Sequence, residues 1–86
     1  MDKAERNRRI SELKNQWIVN PEWQTEKTPI DWEPRALELL EEMPWPFLER
    51  NIRGRWSCSW DRDTGIFSRA DTLRAAICEA YIQWKK

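Results

Sequence analysis

The chain has no histidine, only two glycines among 86 residues, two cysteines, and no apolar run long enough for a membrane. Each absence excludes something. Without histidine, the commonest general base and metal ligand is missing. Two cysteines alone do not complete a four-ligand zinc site. A transmembrane helix needs about 20 consecutive apolar residues, and nothing here approaches that. Fifteen basic and fifteen acidic side chains cancel, so there is no overall electrostatic footprint for nucleic acid or an anionic membrane. The opening Met1-Asp2-Lys3-Ala4-Glu5-Arg6 is charged throughout. It predicts no signal peptide, a cytoplasmic location and free thiols.

What the chain does have is tryptophan. Seven of them, with two phenylalanines and one tyrosine, supply the large side chains that a single small domain spanning 1–86 needs to build one core. Charge is unevenly distributed despite its balance. Residues 22–49 hold eight acids (Glu22, Glu26, Asp31, Glu33, Glu38, Glu41, Glu42, Glu49) against Lys27 and Arg35. Residues 50–62 hold Arg50, Arg53, Arg55 and Arg62 against Asp61. The acidic stretch reads either as solvated faces or as a surface met by a basic partner.

Hydrophobic periodicity predicts an α+β fold. Ile10, Leu13 and Trp17 form a narrow stripe on a charged helix over 3–17. Asn20-Pro21 then closes that segment, and 20–30 reads as a polar connection holding Trp23. Thr28-Pro29-Ile30-Asp31 and Asp31 itself are both plausible starts for a second helix over 32–43, whose face is Trp32, Ala36, Leu39, Leu40 and Met43, extended by Leu37. Pro44-Trp45-Pro46 stops it, and Phe47 and Leu48 begin a short edge strand. Strict alternation over 55–61 puts Trp56, Cys58 and Trp60 on one face of a strand. With a turn and a second strand at 65–68 it forms a hairpin over 55–68. The small antiparallel sheet has two to three strands. A third helix over 71–84 begins near Ser68 or Asp71. It carries Leu73, Ala76, Ile77, Ala80, Tyr81 and Trp84 on one side and a weaker stripe, Ala75, Cys78 and Ile82, on the other. A helix apolar on two sides is either sandwiched or meets a second chain.

No catalytic residue, cofactor site or metal site is assigned. Glu41 and Glu42 are sequential on a helix and point about 100° apart. Asp61 and Asp63 flank a turn, where aspartate serves turn hydrogen bonding. Cys58 lacks a histidine partner and reads as a buried thiol. Trp56 and Trp60 could stack bases beside arginines, but the alternation places them opposite Arg55, as core residues. Protein binding is left as the main reading. Its candidate anchors are Trp23 and Trp45, outside the periodic elements, and the second helix stripe of Ala75, Cys78 and Ile82, which would make a homodimer.

The order of elements resembles the phage ABA sandwich domain family of small phage and prophage proteins. The resemblance runs from the charged helix containing Ile10-Ser11-Glu12-Leu13 and Trp17 through Asp31-Trp32 and the acidic Leu-rich helix. It continues through Trp56-Ser57-Cys58-Ser59-Trp60-Asp61 and is closest over 70–80, Ala70-Asp71-Thr72-Leu73-Arg74-Ala75-Ala76-Ile77-Cys78-Glu79-Ala80. Pro44-Trp45-Pro46 departs from the family's pattern. The resemblance implies helices on a small antiparallel sheet and a phage or prophage origin. It supplies no activity; taken with the catalytically bare sequence, it leads to the reading of a non-enzymatic accessory protein that binds a host or phage protein, inhibition being one mode of such binding. The alternative is a module that sequesters a nucleotide signal or binds nucleic acid through Arg53, Arg55 and Arg62.

Overall fold

Helix α1 (Lys3–Lys14) starts where Asp2 accepts a hydrogen bond from the Glu5 amide at 2.8 Å, the usual way of satisfying an orphan N–H of the first turn. In the computed structural model, which describes residues 1–19, 27–60 and 68–85, it ends three residues before the predicted limit. Asn15 takes a left-handed conformation (φ 52°), and Gln16 donates its N–H back to the Ser11 carbonyl at 3.1 Å. This C-terminal cap releases the chain into strand β1 (Trp17–Val19), so Trp17 sits on a strand and not on the helix stripe.

Strand β1 pairs antiparallel with β2 (Lys27–Pro29), Trp17 opposite Pro29 and Val19 opposite Lys27. This two-stranded sheet replaces part of the connection expected over 20–30. Three-residue strands ending in proline carry too little alternation to announce themselves. A short 3₁₀ turn, Glu33–Arg35, containing Pro34, leads into α2 (Ala36–Glu42), which is shorter than the helix expected over 32–43. Trp32, Ala36, Leu39 and Met43 are buried, and Leu40 is partly so. Leu37, expected to widen that face, points to solvent.

The main sheet is three-stranded and antiparallel, in the order β3 (Phe47–Arg50), β4 (Trp56–Ser59), β5 (Ser68–Ala70). β4 and β5 form the predicted hairpin, Trp56 opposite Ala70 and Cys58 opposite Ser68. Its turn and residues 65–67 lie outside the described residues. Cys58 is fully buried, and Trp56 and Trp60 pack on the core. Helix α3 (Leu73–Lys85) starts two residues beyond the nearer expected start, Asp71. The Thr72 hydroxyl accepts the Ala75 amide at 3.2 Å.

Helix α3 is the centre of the core. It packs against α1, α2, β4 and β5. Both of its stripes are consequently inside the chain: Ala76, Ile77, Ala80 and Tyr81 on one side, Ala75, Cys78 and Ile82 on the other.

One buried hydroxyl joins α1 to the segment before α2. Ser11 Oγ, fully buried, accepts hydrogen bonds from the Trp32 indole N–H at 3.1 Å and the Ile30 amide at 3.0 Å. One turn earlier, Asn7 Oδ1 accepts the Trp32 amide at 3.0 Å. Nearby, Lys14 bonds Glu42 at 2.6 Å and stands 5.6 Å from the ring centres of both Trp32 and Tyr81. Removing the Ser11 hydroxyl strands the buried Trp32 indole donor, at a cost of about 1 to 3 kcal/mol, and leaves the part-buried Ile30 amide without its acceptor. Ser11→Ala is therefore expected to destabilise the fold by about 2 to 3 kcal/mol in urea unfolding, with the denaturant slope unchanged. A loss below about 0.5 kcal/mol would show that the hydroxyl does not hold α1 to Trp32.

Candidate partner-binding edge

β3 and β4 are joined by a tight hairpin over 51–55. Asn51 donates its N–H to the Arg55 carbonyl at 2.9 Å and accepts the Gly54 amide on its own carbonyl at 3.0 Å. Its side-chain Oδ1 accepts the amides of Arg53 and Arg55 at 2.9 and 3.0 Å. Gly54 takes φ +81°, the left-handed position of a three-residue loop with a glycine bulge. Ile52 stands fully exposed at the tip.

This hairpin fixes which backbone groups of β3 are spent. Asn51 and Arg55 exchange a ladder bond, and hydrogen-bonded pairs alternate along an antiparallel register. Glu49 opposite Ser57 and Phe47 opposite Ser59 are then also bonded pairs. Leu48 and Arg50 therefore turn their N–H and C=O outward. Among the described residues no strand lies beyond β3.

The side chains along that edge are unusually apolar for a surface. Trp45 is 69% exposed and Phe47 51%, with Leu48 and Ile52 also exposed. The Trp45 amide donates to the Trp60 carbonyl at 3.2 Å, so the backbone of Pro44-Trp45-Pro46 is tied to the end of β4 while the indole faces solvent. All four residues of β3 are exposed.

Charge on the edge itself is mixed: Glu49 and Arg50 on β3 and Arg53 on its hairpin have no ion-pair partner among the described residues. Elsewhere, Glu5, Glu12, Asp31, Glu33, Glu42, Asp71 and Glu79 each have an ion-pair partner, and Asp2 caps α1. Among the described residues the acids left without a partner are Glu38, Glu41 and Glu49, all on α2 or β3.

Of the residues singled out from sequence, Trp45 lies on this edge. Trp23 and Arg62 lie outside the described residues. Ala75, Cys78 and Ile82 are 5%, 0% and 2% exposed. That corrects the expectation of a partner or homodimer contact through the last helix, because α1 and the rest of the core already cover the stripe. Arg53 sits on the exposed hairpin turn, and Arg55 pairs with Asp71 at 3.4 Å. A cleft beside them is lined by Arg6, Arg55 and Arg69 together with Glu33, Asp71 and Glu79. Arg6 is taken up by Glu33 at 2.9 Å.

Phe47 was named from sequence only as a strand residue, and Glu38, Glu41 and Glu49 only as part of an acidic stretch. The available signal was Asn51 followed three residues later by Gly54, a turn that joins β3 to β4 as a hairpin. No grouping of three or more histidine, cysteine or acidic side chains suited to a metal ion occurs among the described residues. No helix among them is long and apolar enough to cross a membrane. Comparison of the chain with protein-family models, curated proteins and solved structures finds no match.

The two thiols belong to the core. Burial pushes Cys58 from an ordinary value of 9.0 up to about 11. Burial, reinforced by the charge of Glu33, pushes Cys78 up to about 12. Their neutral forms are favoured by folding, so this contribution to stability is complete below about pH 9. It is lost as pH rises through the folded values, because the unfolded thiols ionise first. We expect stability to fall from about pH 9 upward, and less steeply in Cys78→Ala. Ellman's reagent at about pH 8 is expected to label neither thiol in the native protein and both in guanidinium chloride. Rapid native labelling would contradict their placement.

Proposed function

We propose that this chain is a small, non-enzymatic accessory protein of phage or prophage type that acts by binding a protein partner, host or phage, as an inhibitor in the bacterial cytoplasm. The observation that carries the reading is the exposure of Trp45, Phe47, Leu48 and Ile52 along β3 and its hairpin, beyond which no strand lies among the described residues. Tryptophan and other aromatics are frequent interface anchors, and an exposed Trp45 gains nothing from burial within this chain. The resemblance to phage ABA sandwich domains supports the origin and the accessory role. The absence of histidine removes the usual general base.

The anion-binding alternative through Arg53, Arg55 and Arg62 draws less support. Arg55 is matched by Asp71, and the cleft beside it mixes acids with bases.

Tagged protein cross-linked in a bacterial lysate, with Trp45→Ala as the matched control, tests the reading. The variant should keep its circular dichroism and melting temperature, because the side chain lies outside the core, and should lose capture of a specific partner by about tenfold or more. Undiminished capture by Trp45→Ala would remove the edge from the function.

A further inference from the structure

We propose that the face shared by α2 and the start of α3 is a self-association surface, and that its occupant is a second copy of this chain related by a two-fold axis. The inference is independent of the β3 edge. Leu37 is 69% exposed on α2, although Ala36 and Leu39 beside it are buried. Next to it a recess of about 190 Å³ opens between α2 and α3, lined by Pro34, Ala36, Leu37, Leu73, Arg74 and Ile77. Every lining side chain except Arg74 is apolar, and Ile77 is buried. The patch thus carries a protruding leucine and an apolar hollow side by side.

Charge on the same patch comes in both signs and is unspent within the chain. Among the described residues Arg74 has no ion-pair partner, and neither has Glu38 or Glu41. Successive helix residues are about 100° apart. Ala36 therefore faces the recess on one side of Leu37, and Glu38 stands on the other, away from α3. Glu41, one turn on, shares the face of Leu37. A two-fold rotation exchanges the two sides. When Leu37 of one copy enters the recess of the other, its Glu38 comes to the α3 side, where Arg74 lies, and the reciprocal contacts form at the same time.

A second copy supplies the leucine, the hollow, the cation and the acids together, which is what an isologous contact requires. A partner of one charge sign satisfies only half of them. The patch is small, so the association is weak, at the low end of specific interfaces. It lies apart from the stripe of Ala75, Cys78 and Ile82, which the core covers. No residue of β3 lines it. The dimer therefore presents the β3 edge twice, and two linked edges hold a repeated or dimeric partner more tightly than one.

Sedimentation equilibrium of the whole chain from about 10 μM to about 1 mM tests the proposal. The chain is expected to pass from monomer to dimer within that range and to form nothing larger, because a two-fold contact closes on itself. Leu37→Ala, a change at an exposed position, should keep the circular dichroism spectrum and melting temperature and weaken association by about tenfold or more. Glu38→Arg and Arg74→Glu should each weaken it by a similar factor of about ten. Combined, they should restore it to within about threefold of the wild-type chain. Trp45→Ala should associate as the wild-type chain does. A monomer throughout the range, an association indifferent to Leu37→Ala, or single reversals whose combination restores nothing overturns the proposal. A dimer lost in Trp45→Ala but kept in Leu37→Ala also overturns it, since the contact would then run through the β3 edge.

Discussion

Every other element of this protein depends on how α3 is enclosed. Seven of the fourteen buried apolar residues among those described belong to it. Several are small, Ala75, Ala76, Cys78 and Ala80, so that neighbours on both sides approach closely. A short chain has little apolar surface to distribute. Enclosing one helix with α1, α2, β4 and β5 consumes most of it. β3 receives what remains, and all four of its residues are exposed.

The enclosure is held by few polar contacts. Ser11 fixes Trp32 and Ile30 against α1, and Glu42 receives both the Lys14 ammonium and the Tyr81 hydroxyl, the latter at 3.3 Å. Burial, with the charge of Glu42 beside it, pushes the Tyr81 phenol up, so it stays protonated and donates. These bonds join α1, α2 and α3 on one side of the molecule. β3 is attached through its ladder to β4 and, just before it, through the Trp45 amide bonded to the Trp60 carbonyl. The same economy that stabilises the core thus leaves a sheet edge open. Prolines 44 and 46 and the shortness of the strand guard that edge against indiscriminate pairing.

Long periodic segments were legible in the sequence. The α+β class, three helices and the strand carrying Trp56 and Cys58 all follow from changes of period between two and 3.6, although the strand ends at Ser59, before Trp60. The misreadings are local. Helix α1 stops at Asn15 because a left-handed cap there outcompetes the continuing stripe to Trp17. β1 and β2 are too short for alternation to register. The double stripe on α3 left open whether a second chain covers it, since periodicity reports apolar faces and not their partners. Only the packing of α1 resolves that. Trp45 was identifiable from its flanking prolines. Which carboxylates go unpaired was not, because pairing depends on tertiary neighbours.

The central claim is that β3 is an open edge whose ladder groups are spent on one side only. Amide hydrogen exchange along 47–51 in the free protein tests it most directly. If the claim holds, Phe47, Glu49 and Asn51 exchange slowly and Leu48 and Arg50 exchange at rates near those of unstructured backbone. Equal protection across all five amides would show that something already covers the edge, and would contradict the account.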